Sequence, residues 1–301
     1  MNLRQMEHFV AVARRSNMTA AAHDLGVAQP TLTRTIRALE QELGVPLFER
    51  LVRGVELTIY GRSLLRHAET VGVQLEDAAR EISSLRGGTV GTVTIGAGPA
   101  WLRRILPLAV ARIIADSPSM KVRIEGGFDD ALLRGLRRGE IEFVVAELPS
   151  AETARDLKIE PLTSDELRVC CRQGHPLAGG GALDPSALQA FAWIMPPGPT
   201  RAQKRLSALF VALDLPPPNI VVETESMAFL LQLLHHSDLL TFTVSTTLQA
   251  ADGKGLTLLD VPALSANRQA GIISRRAGWL SPASEAVIAE LKRLCAADPH
   301  N

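Results

Sequence analysis

The stretch VAQPTLTRTIRALEQELG, residues 27–44, carries two messages on one helix. Leu32, Ile36, Leu39 and Leu43 step by four, three and four, the spacing of an apolar stripe that faces a core. Pro30 is tolerated near the front because the first turn of a helix has no intrahelical partner for its N–H. Thr31, Thr33, Arg34 and Arg37 lie off the stripe and gather towards the N-terminal half. A face without a large apolar residue is either ordinary solvated surface or a surface meant for something outside the chain.

The flanking sequence favours the second reading. Upstream, Leu3, Met6, Phe9, Val10 and Ala13 recur at helical spacing, with Asn2 as the expected N-cap. Ser16-Asn17 breaks that helix. Thr19 is the expected cap of a second short helix, which ends at Gly26, a position suited to a left-handed C-terminal residue. Two short helices joined near a glycine, the second with polar front turns, form the helix-turn-helix pattern. Ala20, Ala21 and Ala22 let the pair approach closely. Downstream, PLFERLVRGVELTIYG (46–61) alternates around Arg53-Gly54 and predicts a small hairpin, or wing.

From Thr58 to about Arg86 the pattern is helical throughout. Leu64, Ala68, Val71, Leu75, Ala78, Ile82 and Leu85 step by four and three, a sustained heptad seam. A helix of this length is a rod of about 44 Å at about 1.5 Å per residue. Such a seam serves either a partner helix or its own domain, and its length favours a dimerisation helix. Gly87-Gly88-Thr89 then reads as a hinge. Beyond it, strand and helix patterns alternate as βαβαβ, from TVGTVTIGAG (89–98) to EFVVAEL (142–148), which implies a parallel sheet with helices on its faces. The alternation resumes after a crossover near Pro161 and closes with the strand QAGIISRR (269–276) and a final helix.

Composition bounds the rest. The 301 residues allow two or three domains. Lys+Arg and Asp+Glu balance at 32 each, so any nucleic-acid surface is a local patch. All five lysines lie at or after Lys121, and earlier cations are arginines. Arginine suits bidentate contacts to guanine or phosphate, although the arginine codons of a high-GC genome account for the bias more simply. Cys170, Cys171 and Cys295 form no spaced framework and no metal signature, as expected in a reducing cytoplasm. MNLRQMEHFVAVARR is too charged for a signal peptide, and no run of 18 apolar residues exists to span a membrane.

The stretch MTAAAHDLGVAQPTLTRTIRALEQELGVPLFER (18–50) strongly resembles the DNA-binding module of LysR-type transcriptional regulators. GHPLA (174–178), WIMPPGPTR (193–201), VETES (222–226) and RAGWLSPAS (276–284) resemble phrases of that family's effector module. The resemblance implies an N-terminal winged helix-turn-helix (1–58), a linker and dimerisation helix with hinge (59–88), and a C-terminal α/β module (89–301). That module resembles periplasmic binding proteins, with one subdomain from 89–162 and 267–301 and a second from 163–266. The family's base-reading positions fall on Gln29, Pro30, Thr33 and Arg34, with Arg53 in the wing; Thr31 and Arg37 complete the candidate DNA-binding set. Arg34 can donate twice to a guanine edge, Gln29 can pair an adenine edge, and Pro30 or Thr31 can touch a thymine methyl. Where many relatives carry serine, this chain has Ala28, so a side-chain cap is missing. Leu64, Val71, Leu75 and Ile82 are the candidate dimerisation residues. Expected partners are a pseudo-palindromic double-stranded DNA site, a second chain and then a tetramer, a small-molecule effector, and RNA polymerase as a further candidate.

Ligands of open α/β folds sit at the carboxyl ends of strands. Those ends supply Gly98, Pro99, Ala100, Trp101, Phe128, Thr200, Arg201, Ser226 and Ser245 as effector candidates. The family often has Ser or Thr after the first strand, where this chain has Pro99-Ala100-Trp101. An apolar, aromatic cleft would suit a small organic acid with a ring-like body; equally, Trp101 and Phe128 could simply pack the subdomain.

Other classes carry less. Adjacent His235 and His236 point to different faces and cannot jointly hold a metal. Ser245 lacks a nucleophile-elbow context, and Glu140 and Glu142 read as a solvated loop. Neither an enzyme nor a cofactor is expected. Cys170 and Cys171 offer a redox-responsive alternative, but alternate across a strand. A non-specific architectural protein is a third reading. Residues 1–66 hold nine arginines against six acids, too small an excess for charge-only binding.

Overall fold

The computed structural model describes residues 1–86 and 92–297. The hinge expected at 87–89 lies outside the described residues. The chain divides into two compact units, 1–83 and 84–301.

The first unit opens with α1 (Leu3–Arg15), α2 (Met18–Asp24) and α3 (Gln29–Leu43). Asn2 caps α1 in a reciprocal box with Gln5: its side chain accepts from Gln5 N at 3.0 Å, and its own N–H donates to Gln5 Oε1 at 2.8 Å. The cap of α2 is Asn17, not Thr19. Asn17 Oδ1 accepts from Thr19 N and Ala20 N at 2.9 and 3.0 Å. The break and the cap are one residue, because α2 starts one position earlier than the apolar pattern indicates. Ala28 gives α3 no side-chain cap.

Phe9, Val12, Ala21, Ala22, Leu32, Ile36 and Leu39 close one core. Leu43 ends the stripe of α3 and is partly exposed. Strands β1 (Phe48–Arg50) and β2 (Val55–Leu57) pair antiparallel as the expected wing. Val55 N donates to Ser16 O at 2.9 Å. A Cβ on Gly54 would lie 2.3 Å from that same oxygen, so only glycine lets the wing seat on the α1–α2 turn. Thr58 Oγ1 donates to Pro46 O at 2.7 Å and accepts from Gly61 N at 3.0 Å, fixing the start of α4 (Ile59–Leu85) to the wing.

The seam of α4 is not uniformly packed. Leu64 packs on the first unit's core and Ala68 is buried in it. Leu75 and Ile82 are 47% and 59% exposed in the single chain. The front of the helix therefore packs on its own unit; further back Val73 and Asp77 are buried, while Leu75 and Ile82 are exposed.

The second unit is built around β3 (Thr92–Ala97), flanked in parallel by β4 (Lys121–Gly126) and β5 (Phe143–Glu147). Helices α5 (Pro99–Arg103), α6 (Ile105–Asp116) and α7 (Asp129–Arg137) connect them. Strand β6 (Leu157–Arg172) runs without a break through the expected crossover at Pro161. Pro161 instead sits where the antiparallel register with β11 (Ala266–Arg275) shifts, an irregularity that accommodates a residue without a backbone N–H. Both long strands pass from one half of the unit to the other. The second half holds β7 (Trp193–Met195), α8 (Arg201–Ala212), β8 (Ile220–Glu223), α9 (Met227–His235), β9 (Thr241–Val244) and β10 (Leu256–Leu258). Strand β9 pairs β6, and β7 pairs β8 in parallel. The last helix, α10 (Pro282–Ala296), returns to pack on the first half, where Val287 and Leu291 meet Ile95 and Phe143 in one core.

Glu142 is not a solvated loop residue. It is buried and accepts from Ser284 Oγ at 2.7 Å and Ser281 N at 3.1 Å, a carboxylate at the positive end of α10.

The cap assignment is testable. Asn17→Ala should weaken α2 by about 1 kcal/mol, read as faster native-state hydrogen exchange at residues 18–24, whereas Thr19→Ala should change it little. The opposite order would return the cap to Thr19.

Candidate nucleic-acid interface and ligand cleft

Burying Leu32, Ile36 and Leu39 turns the front of α3 outward. Gln29, Pro30, Thr31, Arg34 and Arg37 are exposed and Thr33 is half-buried. Gln29 Nε2 donates to Thr33 Oγ1 at 3.2 Å, one turn away. Neither Arg34 nor Arg37 has an ion-pair partner among the described residues. No acidic residue stands in the first turn of α3; Glu40 faces the wing instead, accepting from Leu47 N at 2.8 Å. The front half thus joins the positive end of a helix to two uncommitted guanidinium forks.

That face forms one wall of an open groove. The opposite wall is the wing, at Leu51, Gly54 and Val55, with Asn17, Met18 and Thr19 between them. Of the predicted DNA-binding residues, Gln29, Pro30, Thr33, Arg34 and Arg37 line it. Thr31 is exposed on α3 beside it, and Arg53 is exposed at the turn of the wing. The α2 start was missed because it lies about a dozen residues from Gln29, and only the folded chain brings it alongside.

In the second unit a cleft opens between the two halves. Gly98, Pro99, Ala100, Phe128 and Thr200 line it, as expected from the strand ends. Trp101 is 4% exposed inside the first half's core. The short α5 sends Pro99, Ala100 and Arg103 to the cleft and leaves Trp101 for the core, since residues four apart share a helix face. Arg201 turns to Glu147 O at 2.8 Å beside the cleft. Ser226 is exposed and caps α9 through Phe229 N at 3.2 Å. Ser245 is half-buried in the turn after β9.

The sequence reading did not single out several lining residues. Thr241 and Thr243 alternate with Phe242 and Val244 along β9, and Thr247 follows; all three threonines are buried. Thr243 and Thr247 hydroxyls meet at 3.0 Å. The TFTV alternation was the available signal. Arg103, Glu147 and Arg268 bring charge. Glu147 is 2.7 Å from Arg205 and 3.5 Å from Arg268, whose Nη2 also donates to Asp165 at 2.8 Å. Burial opposes the charge on Arg268, but Asp165 and Glu147 more than offset it and raise its pKa. The space within the cleft reachable by the centre of a water molecule is about 80 Å³, and one water needs roughly 10–15 Å³ by that measure.

Burial pushes the Cys170 thiol up to about 12 and the Cys171 thiol up to about 11. Both are fully buried. Protonated, enclosed thiols are poor nucleophiles. Among the described residues, no group of three His, Cys, Asp or Glu side chains is placed to hold a metal ion, and no helix is long and apolar enough to cross a membrane.

Two family models match the chain. Residues 3–62 match the bacterial regulatory helix-turn-helix protein of the lysR family. Residues 86–296 match the LysR substrate binding domain. The HTH-type transcriptional regulator GbpR of Azospirillum brasilense is 33% identical over 80% of this chain and 71% of that protein. The HTH-type transcriptional regulator GalR of Pseudomonas putida is 31% identical over 97% of this chain and 73% of its own length. Among solved structures, a hydrogen-peroxide-bound cysteine-to-serine mutant of Corynebacterium glutamicum OxyR aligns with a TM-score of 0.55 at 26% identity, covering 97% of this chain and 92% of that one. A helix-turn-helix with an exposed basic front, followed by a two-halved α/β unit with a cleft, matches both models in order and extent, and the chain belongs to the LysR family of bacterial DNA-binding transcriptional regulators.

Proposed function

We propose that this regulator reads a specific, pseudo-palindromic DNA site with the front of α3 and is controlled by a small organic acid held in the cleft of its second unit. The observation that carries the DNA reading is the outward face of α3, with Gln29, Pro30, Arg34 and Arg37 exposed and both arginines without an acidic partner among the described residues. A recognition helix lays its N-terminal residues against base edges in the major groove. Arg53, exposed at the wing turn, contacts the neighbouring backbone or minor groove in this reading.

Two chains pair through the exposed back of α4, at Leu75 and Ile82, and present two such faces to successive major grooves. Further association of the second units gives a tetramer, and RNA polymerase is a partner of the assembled complex in the cytoplasm. The organic-acid reading is supported by the cleft's apolar wall at Phe128, Met227 and Phe242 and by its charge at Arg103. Ligand binding shifts closure of the two halves only as far as it favours one closure state over the other.

Arg34→Ala should cost roughly 1–3 kcal/mol at the cognate site and relax base preference at one position per half-site, measured by fluorescence anisotropy on matched duplexes. Unchanged affinity and preference would remove Arg34 from the interface. Leu75→Asp should halve the mass seen by light scattering at micromolar concentration. An unchanged mass would mean that the seam does not join chains.

A further inference from the structure

Arg103 and Arg268 line the cleft and Arg201 lies beside it, and their partners differ. Arg268 is only 12% exposed and lies between two buried carboxylates, Asp165 and Glu147. Arg201 bonds the Glu147 carbonyl. Arg103 is different. Its side chain is 14% exposed inside the cleft, while the carboxylate that it holds, Asp252, is 41% exposed at the rim. Nε donates to Asp252 Oδ2 at 3.0 Å, Nη2 donates to the other oxygen, and Nη2 also reaches Thr247 O at 3.2 Å.

The pair crosses the cleft. Arg103 ends α5 in the first half, and Asp252 and Thr247 belong to short turns of the second. These turns are tightly fitted: a Cβ on Gly253 would lie 2.5 Å from Thr247 O. The chain therefore holds one of its own carboxylates in a fixed place on the guanidinium that lines its cleft.

We infer that Arg103 receives the carboxylate of the effector by exchanging it for Asp252. This rests on the cleft being the effector site. An exchange of one carboxylate for another leaves the enclosed guanidinium with its fork of charge-assisted bonds throughout, and Asp252 is already exposed enough to rehydrate. A neutral molecule cannot make the exchange, because it would leave a buried cation without a counter-charge. The class selected is a small monocarboxylate whose apolar part lies towards Phe128, Met227 and Leu230. Exchange also breaks the pair that joins the two halves, so occupancy and movement of the halves are coupled through one residue.

The test uses the full-length chain, with acetate as the probe for the carboxylate and acetamide as its neutral counterpart. Asp252→Ala vacates the position, and Asp252→Asn repeats the measurement should the alanine variant fold poorly. By calorimetry, acetate should bind either variant at least about tenfold more tightly than the wild type, the scale of one hydrogen bond to a charged group. Acetamide should not bind, and Arg103→Gln combined with Asp252→Ala should abolish the gain. Equal acetate affinity in wild type and variant, or gain that survives in the double variant, overturns the exchange. A compound found by thermal-shift screening that needs Thr243 (lost in Thr243→Val) but not Arg103 also overturns the exchange while leaving the effector cleft standing. Acetate held through Arg103, with DNA binding indifferent to every ligand of the cleft, would support the exchange and remove the effector reading beneath it.

Discussion

A helix has one apolar stripe to bury, and in α3 the stripe of Leu32, Ile36 and Leu39 is buried against Phe9, Val12, Ala21 and Ala22. The other features of the first unit depend on that packing. The small side chains of α2 admit α3 closely, so the face opposite the stripe is left outward, and its front half carries Gln29, Pro30, Thr31, Arg34 and Arg37. The wing then has one place to sit. It is held to the α1–α2 turn by Val55 N on Ser16 O, in a gap that Gly54 alone can enter. Thr58 and Gly61 fix the first turn of α4 in the same way. The groove between α3 and the wing is therefore set by packing within the chain, before any partner arrives.

A comparable constraint governs the second unit. Strands β6 and β11 belong to both halves, so the two halves are separate in their cores but continuous in their backbone. A cleft between cores joined by two strands can change width with little loss of buried apolar area. Arg103 and Asp252 add a polar tie across it. An ion pair with one exposed partner is worth little in stability, which makes it suitable for exchange and a poor permanent fastening.

The sequence made the large features legible because they rest on periodicity. The stripe of α3, the seam of α4 and the alternation of strands and helices all repeat over many residues. What escaped was local or distant. Asn17 rather than Thr19 caps α2 because an N-cap lies outside the helical spacing that reveals the helix. Pro161 looked like a break, yet a register shift beside Gly271 absorbs it. Glu142 looked solvated because its partners, Ser281 and Ser284, lie far along the chain. The cleft was placed by strand ends, which located Gly98, Pro99, Ala100, Phe128 and Thr200. Strand ends could not say which side of α5 Trp101 would take, nor that Arg103 and Asp252, 149 positions apart, would meet. The seam's periodicity alone could not say that Leu64 and Ala68 pack on the first unit's core while Leu75 and Ile82 stay exposed.

Everything proposed for the first unit depends on the outward face of α3 reading base sequence. Selection from a pool of random duplex DNA by the full-length chain, with the bound fraction sequenced, tests it most directly. A base-reading α3 should enrich a motif of two-fold symmetry, its half-sites about one helical turn apart or a multiple of it. A bound pool indistinguishable from the input, at low salt and full occupancy, would contradict it.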